Sequence, residues 1–162
     1  MNGNNPVSWR LLRRPTHFLA LGFGAGLAPV APGTFGTLAA IPLYLLLART
    51  GTFLYVVVVL GMFALGVWLC RETERALGVH DHPAIVWDEI VGYLVTMFLA
   101  PPGWAWVVLG FVLFRLFDVW KPFPIRALEQ RVRGGLGNML DDVLAGTYAC
   151  ATMAALGYVY NV

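Results

Sequence analysis

The sequence predicts an all-α protein, a multi-pass transmembrane helical bundle, and three observations support this class. Of its 162 residues, 59% are hydrophobic and only 12% are charged, whereas a soluble domain carries roughly 25% charged residues. Mean hydropathy is +0.70, and long apolar runs recur between short breaks rich in glycine and proline. The length suits one domain, so we expect residues 1–162 to form a single membrane-embedded unit.

The apolar runs predict about four to five membrane-embedded helices. Residues 18–31 are apolar but interrupted by three glycines and a proline, so a re-entrant or interfacial segment is expected there. Helices are then predicted over residues 35–48, 53–70, 84–100, 104–120 and 141–160. The remaining stretch, residues 121–140, is polar and basic and is predicted to be a loop.

Loop charge predicts the orientation of these helices, because basic loops stay in the cytoplasm. One side of the bundle would carry nine basic residues: Arg10, Arg13, Arg14, Arg71, Arg75, Lys121, Arg126, Arg131 and Arg133. The other side would carry only Arg49. We therefore expect a cytoplasmic N-terminus. The net charge of +2 is too small to suggest a nucleic-acid partner, and membrane lipid is the expected one.

Acidic residues are concentrated where apolar segments begin or end. Six of the nine carboxylates lie there: Asp81, Asp88, Glu89, Asp118, Asp141 and Asp142. Asp88 would lie about four residues into the third predicted helix, and Asp141 and Asp142 would start the fifth predicted helix. A carboxylate near lipid costs about 2–3 kcal/mol, and neighbouring carboxylates repel each other unless a positive charge lies between them.

A hard divalent cation would relieve both penalties, because Mg²⁺ takes carboxylates together with phosphate oxygens and water. The predicted metal ligands are Asp88, Glu89, Asp118, Asp141 and Asp142. The alternative is neutralisation by salt bridges to Arg115, Lys121 and the loop arginines. Gly92 and Gly146 follow two of the acids by four residues, and such small residues allow helices to approach closely.

Two further patterns favour phosphate chemistry. The segment from Ala31 to Thr37 opens a helix with glycines and hydroxyls, and free N–H groups there favour phosphate. Its candidate ligands are Gly33, Thr34, Gly36 and Thr37, although a simple helix N-cap would have the same sequence. Arg115, Asp118 and Lys121 recur at three-residue intervals, so the basic pair could bind a phosphoryl group. The alternative is a salt-bridge ladder.

The candidate catalytic residues are therefore Asp88, Arg115, Asp118, Lys121 and Asp142. The loop that carries His80, Asp81 and His82 leaves two interpretations open. A histidine there could act as a general acid or base or ligate metal. Alternatively, it is a solvated loop that caps the next helix.

Three ordered blocks of this sequence resemble one known family. The first is GFGAGLAPVAPGTFGT at 22–37, the second VWDEIVG at 86–92, and the third FRLFDVWKPFPI at 114–125 followed by GNMLDDVLAG at 137–146. Together they resemble the signature of phosphatidylglycerophosphatase A over about residues 16–150. The resemblance implies a Mg²⁺-dependent phosphatase of phospholipid biosynthesis in the bacterial inner membrane. Its reaction would be hydrolysis of phosphatidylglycerophosphate to phosphatidylglycerol and inorganic phosphate.

Other functions would use similar residues. A cation-binding membrane transporter also keeps acids within helices, but usually near the bilayer midplane. A phosphatase of another lipid phosphate would share the whole pattern. A CDP-alcohol phosphotransferase would need an Asp-x₂-Asp-Gly-x₂-Ala-Arg run, which the sequence lacks.

Overall fold

The structure, a computed structural model, describes residues 7 and 11–160. Every regular element in that part of the chain is helical, which confirms the all-α prediction. The α-helices are α1 (Pro15–Ala20), α2 (Pro32–Leu47), α3 (Thr52–Leu77), α4 (Trp87–Thr96), α5 (Trp104–Trp120), α6 (Ile125–Arg131) and α7 (Gly135–Val159). Short 3-10 segments occupy Leu11–Arg13, Gly22–Leu27 and Met97–Leu99. Arg10, one of the nine basic residues on the predicted cytoplasmic side, lies outside the described residues.

Two helices start at other residues than predicted, and this changes the positions of Asp88 and Asp142 within them. The backbone of Val86 is not helical (φ −136°, ψ 13°), and its amide donates to the carbonyl of Ala20 at 2.9 Å. The chain becomes helical at Trp87. Asp88 is therefore the second residue of α4, and the prediction that it lies about four residues into its helix is wrong. Helix α7 starts at Gly135 and not at residue 141, so Asp142 lies in its second or third turn.

The stretch predicted as a loop, residues 121–140, is also partly helical. It contains the seven-residue helix α6, which ends at Arg131. At the N-terminus, the glycine-rich segment forms no spanning helix, since left-handed backbone at Phe23 (φ 60°) and Gly24 (φ 100°) interrupts Gly22–Leu27. Its re-entrant or interfacial placement stays a prediction.

Helix α4 lies at the centre of the bundle, packed against α2, α3, α5 and α7. It approaches α7 closely where Gly92 meets Gly146, since a Cβ atom at Gly146 would clash with the Gly92 carbonyl oxygen. This confirms the close approach predicted from the two glycines. The Tyr93 hydroxyl donates to the Val107 carbonyl of α5 at 3.0 Å, which fixes α4 on its other side.

Within the described residues, α3 alone is long and apolar enough to cross a membrane by length and composition. An 18-residue window of α3 has a mean hydropathy of 2.5, and 22% of that window is buried. Helix α2 is apolar but shorter. The predicted multi-pass arrangement is therefore not confirmed by these criteria.

Candidate active site

Three helix ends and an internal part of α7 meet at one end of the bundle, where the sequence predicted four helix ends. Gly33, in the first turn of α2, lies so close to Glu89 of α4 that a Cβ atom would clash with the Glu89 Oε1 atom. The same Oε1 atom lies 3.9 Å from Nη1 of Arg115, which belongs to α5. Lys121, directly after α5, donates from Nζ to Oδ2 of Asp141 in α7 at 2.7 Å.

Three carboxylates form the centre of this site. One oxygen each from Asp88, Glu89 and Asp142 lies within 4.8 Å of the others. Asp88 is 7% exposed and Asp142 is 4% exposed. Two oxygens of these residues, Oε2 of Glu89 and Oδ2 of Asp142, are buried without a hydrogen-bond partner in the described part of the chain. We refer to these three residues as the carboxylate cluster.

The carboxylate cluster fits a hard divalent cation. Buried polar atoms are nearly always hydrogen-bonded, and buried charges are paired or coordinate metal. Adjacent carboxylates with unpartnered oxygens therefore need a proton or a cation between them. All the candidate ligand atoms are carboxylate oxygens, and two of them have no hydrogen-bond partner among the described residues. Such a ligand set suits Mg²⁺ better than a softer metal.

The other two predicted metal ligands, Asp118 and Asp141, are held by basic side chains. Nη1 of Arg115 donates to Asp118 at 2.5 Å, and Lys121 donates to Asp141. Asp118 is nevertheless close enough to Asp142 for the two carboxylates to repel each other. The structure thus divides the five predicted ligands into a cluster of three and an ion-paired two, and the metal roles of Asp118 and Asp141 stay predictions.

Lys121 does not extend a ladder along α5. Its backbone is left-handed (φ 46°), which ends the helix and directs Nζ to Asp141 and to Glu129 of α6, both at 2.7 Å. Burial disfavours the ammonium form, but the two carboxylates outweigh it and raise the pKa of Lys121 above its ordinary value. Lys121 therefore remains a cation throughout the neutral range.

The predicted phosphate-binding residues of α2 differ in their surroundings. Gly33 borders the carboxylate cluster, and Thr34 is partly exposed beside it. Gly36 packs against Val86, where a Cβ atom would come within 2.6 Å of the Val86 Cβ, and the Thr37 hydroxyl donates to the Gly33 carbonyl at 2.9 Å. Phosphate binding by these four residues stays a prediction.

Sequence reasoning missed a hydrogen-bonding centre at Glu74, in the last turn of α3. Its Oε1 atom accepts from Nδ1 of His80 (2.7 Å), the amide of Asp81 (2.8 Å) and Nδ2 of Asn138 (3.2 Å). Glu74 thereby ties the loop before α4 to the start of α7. Its flanking charges, Arg71, Glu72 and Arg75, resemble a solvated helix end, so no sequence signal set it apart.

His82 belongs to the same loop. Its Nδ1 atom accepts from the amide of Ala84 at 3.1 Å, and burial lowers the pKa of the imidazole. The ring is therefore neutral at pH 7, and its hydrogen bond shapes the backbone that leads into α4.

The fold and this site define an all-helical protein whose acidic and basic side chains meet at one end of the bundle. The Phosphatidylglycerophosphatase A family model matches residues 18–157. The chain belongs to this family, as the three motifs indicated, and it is a phosphatase.

Individual relatives match along most of the chain. It is 45% identical over 148 residues to the phosphatidylglycerophosphatase A of Escherichia coli (strain K12), covering 91% of this chain and 86% of that protein. It is 44% identical over 160 residues to the Haemophilus influenzae protein of the same name, covering 98% of both. A Bacteroides thetaiotaomicron protein, provisionally named a phosphatidylinositol-3-phosphatase, is 39% identical over 160 residues, covering 91% and 99%. No solved structure matches significantly.

Proposed function

We propose that this protein hydrolyses phosphatidylglycerophosphate to phosphatidylglycerol and inorganic phosphate in phospholipid biosynthesis. Two relatives at 44–45% identity carry the name of this activity. The structural observation that carries the proposal is the carboxylate cluster, with its unpartnered buried oxygens, beside the side chains of Arg115 and Lys121. Anionic and cationic groups side by side suit a metal-assisted attack on a phosphomonoester.

In this proposal Asp88, Glu89 and Asp142 hold Mg²⁺. When bound there, such an ion would neutralise charge on the phosphoryl group and would favour deprotonation of an attacking water. Asp118 and Asp141 either complete the coordination or hold Arg115 and Lys121 in place, and their ion pairs support the second role.

The basic residues act on the group that is transferred. Arg115 and Lys121 stabilise the negative charge of the phosphoryl group, and their carboxylate partners restrict their rotation. At the start of α2, the Thr34 amide donates to the Ala31 carbonyl (2.9 Å), and Gly36 and Thr37 are buried. Among the predicted phosphate ligands, Gly33 in the first turn is therefore the best placed to offer a free amide to the phosphoryl group. Two nucleophiles suit the site, a water molecule or an aspartate carboxylate. A burst of protein-bound phosphate in rapid quench would identify the carboxylate.

We further propose that the bundle is a multi-pass protein of the bacterial inner membrane, with the site and the N-terminus on the cytoplasmic side. The apolarity of α3 supports this, as does an exposed apolar stripe on α5 formed by Val108, Val112 and Leu116. A cysteine in place of Gly51 should react with an impermeant maleimide from outside the inner membrane. One in place of Val79 should react only after permeabilisation, and the reverse pattern would contradict the orientation.

Phosphate release from phosphatidylglycerophosphate tests the function. Purified protein in detergent–lipid micelles should release phosphate with Mg²⁺ and should stop when EDTA is added. Asp142→Asn should lose about 10² or more in kcat, whereas Glu72→Gln, which changes an exposed carboxylate paired with Arg75, should keep full activity. No release from folded protein, with or without Mg²⁺, would contradict the proposal.

A second substrate is supported by one comparison. The Bacteroides thetaiotaomicron relative is provisionally named for phosphatidylinositol 3-phosphate, so that lipid should be assayed in parallel. A cation transporter is less well supported, since the acids meet at one end of the bundle and not halfway along it.

A further inference from the structure

A cavity of about 540 Å³ adjoins the candidate active site, and of the residues that line it only Lys121 has a role in the proposed hydrolysis. It lies between the end of α5 and the helix α6. Its lining includes Trp120, Lys121, Phe123, Arg126 and Gln130. Its volume is within the range of small-molecule binding sites.

Lys121 links this cavity to the carboxylate cluster. Its side chain lines the cavity, while its Nζ atom bonds to Asp141, the neighbour of Asp142 in α7. The cavity and the candidate active site therefore share the Lys121 side chain. One molecule with two anionic groups could occupy both places.

The two basic residues that line the cavity differ in their partners within the described chain, since Lys121 is paired with two carboxylates and Arg126 is not. Arg126 is exposed and makes no ion pair with any residue that the structure describes. The nearby carboxylate of Glu129 pairs with Lys121 and does not line the cavity. A guanidinium group with free donors suits a phosphate, to which it can bind through two parallel hydrogen bonds.

The outer wall of the cavity is aromatic and exposed. Trp120 is 65% exposed and Phe123 is 84% exposed. Aromatic side chains at the end of an apolar helix commonly lie at the level of lipid headgroups. The cavity thus combines exposed aromatic side chains suited to lipid with the guanidinium group of Arg126.

We propose that Arg126 binds the phosphodiester group of the substrate, the group that joins the headgroup to diacylglycerol. The terminal phosphomonoester then lies at the carboxylate cluster, one glycerol unit away, and the acyl chains pass Trp120 and Phe123 into the lipid. This inference rests on the proposed function. It makes Arg126 a specificity-determining residue that favours lipids carrying both a monoester and a diester phosphate over simple lipid monophosphates.

Steady-state kinetics test this assignment. Arg126→Gln should raise KM for phosphatidylglycerophosphate about tenfold or more, because a charge-assisted bond to a non-reacting group is lost, and should leave kcat within about twofold. Arg126→Lys should give an intermediate KM. The matched control is Arg131→Gln, on the same helix but outside the cavity, which should keep the wild-type KM. Equal KM values in the two glutamine variants, or a fall in kcat alone, would overturn the proposal.

A binding measurement separates this inference from the hydrolysis itself. The probe is glycerophosphoglycerol, a phosphodiester without a monoester, followed by saturation-transfer NMR on folded protein in micelles. Wild type and Arg131→Gln should bind it, and Arg126→Gln should bind it about tenfold more weakly. If this pattern holds while wild type releases no phosphate, the proposed function fails and the diester site stands. If wild type hydrolyses the lipid but all three proteins bind the probe equally, the inference about Arg126 alone is wrong.

Discussion

Replacing Gly92 with alanine should slow hydrolysis, because this glycine separates α4 from the backbone that carries Asp142. A Cβ atom at residue 92 would lie 2.8 Å from the Asp142 carbonyl oxygen and 2.6 Å from the Phe114 ring. Ordinary contact begins at 3.4 Å, so the Asp142 backbone must move by about 0.6 Å. Phe114 is fully buried, which leaves its ring little room to rotate away.

The size of the effect follows from that displacement. A misplacement of about 1 Å at a reacting centre can reduce the rate about 10²-fold, so about 0.6 Å should reduce kcat roughly tenfold. Overpacking should also lower the free energy of unfolding by about 1–3 kcal/mol. The assay is Mg²⁺-dependent phosphate release beside thermal unfolding in the same detergent.

Gly61→Ala is the matched control for this substitution. Nothing lies within 4 Å of a Cβ atom at Gly61 in α3, so alanine there should keep full activity and stabilise the helix by up to about 1 kcal/mol. Wild-type kcat in Gly92→Ala would refute the idea that close contact between α4 and α7 positions Asp142.

Three further substitutions test other parts of the site. Glu74→Ala should lower the free energy of unfolding by about 1–3 kcal/mol in denaturant titrations, because it leaves three donors without their acceptor. The control is Glu72→Ala at an exposed carboxylate, which should change the free energy of unfolding by less than about 0.5 kcal/mol. Because the folded-state pKa of Lys121 is raised, its ion pairs stabilise the protein below its ordinary pKa of about 10.4 and are lost only as pH rises through the folded value. The melting-temperature difference between wild type and Lys121→Met should therefore be constant from about pH 7 to 9, and a difference that vanishes within that range would contradict the assigned ion pairs. Mg²⁺ at about 100 times its Kd should stabilise wild type by about 2.7 kcal/mol in thermal melts, and Asp142→Asn should lose this shift.

Local sequence signals predicted the bounds of a helix where prolines and glycines flank it. Helix α5 begins and ends at its predicted residues, 104 and 120, because Pro101, Pro102 and Gly103 precede it and Pro122 follows Lys121. The start of α4 could not be predicted in this way. The residue before it, Val86, has a non-helical backbone and donates its amide to Ala20, a partner distant in sequence.

The sequence predicted which acidic and basic residues form the candidate site, but it did not predict which of them form ion pairs with each other. The positions of Asp88 and Asp142 near helix ends placed both in one acidic group, and the structure brings them together. The pairing depends on backbone conformation and on tertiary contacts. The left-handed backbone at Lys121 directs its ammonium to Asp141, and Arg115 is left to hold Asp118.

Glu74 and α6 show a different limit. The role of Glu74 depends on an amide and two side chains that the fold brings to it, and its own neighbours in sequence are charged. Helix α6 has seven residues between prolines and glycines, a composition that also suits a loop. The cavity beside Lys121 depends on that helix, so Arg126 could not be recognised from sequence.

Mn²⁺ binding, followed by electron paramagnetic resonance, tests most directly whether the carboxylate cluster is a divalent-cation site. Wild-type protein in micelles should bind Mn²⁺, and Mg²⁺ should displace it. Asp88→Asn and Asp142→Asn should each lose this bound Mn²⁺, while Glu72→Gln retains it. Equal Mn²⁺ binding by all four proteins, or none by the wild type, would contradict the account.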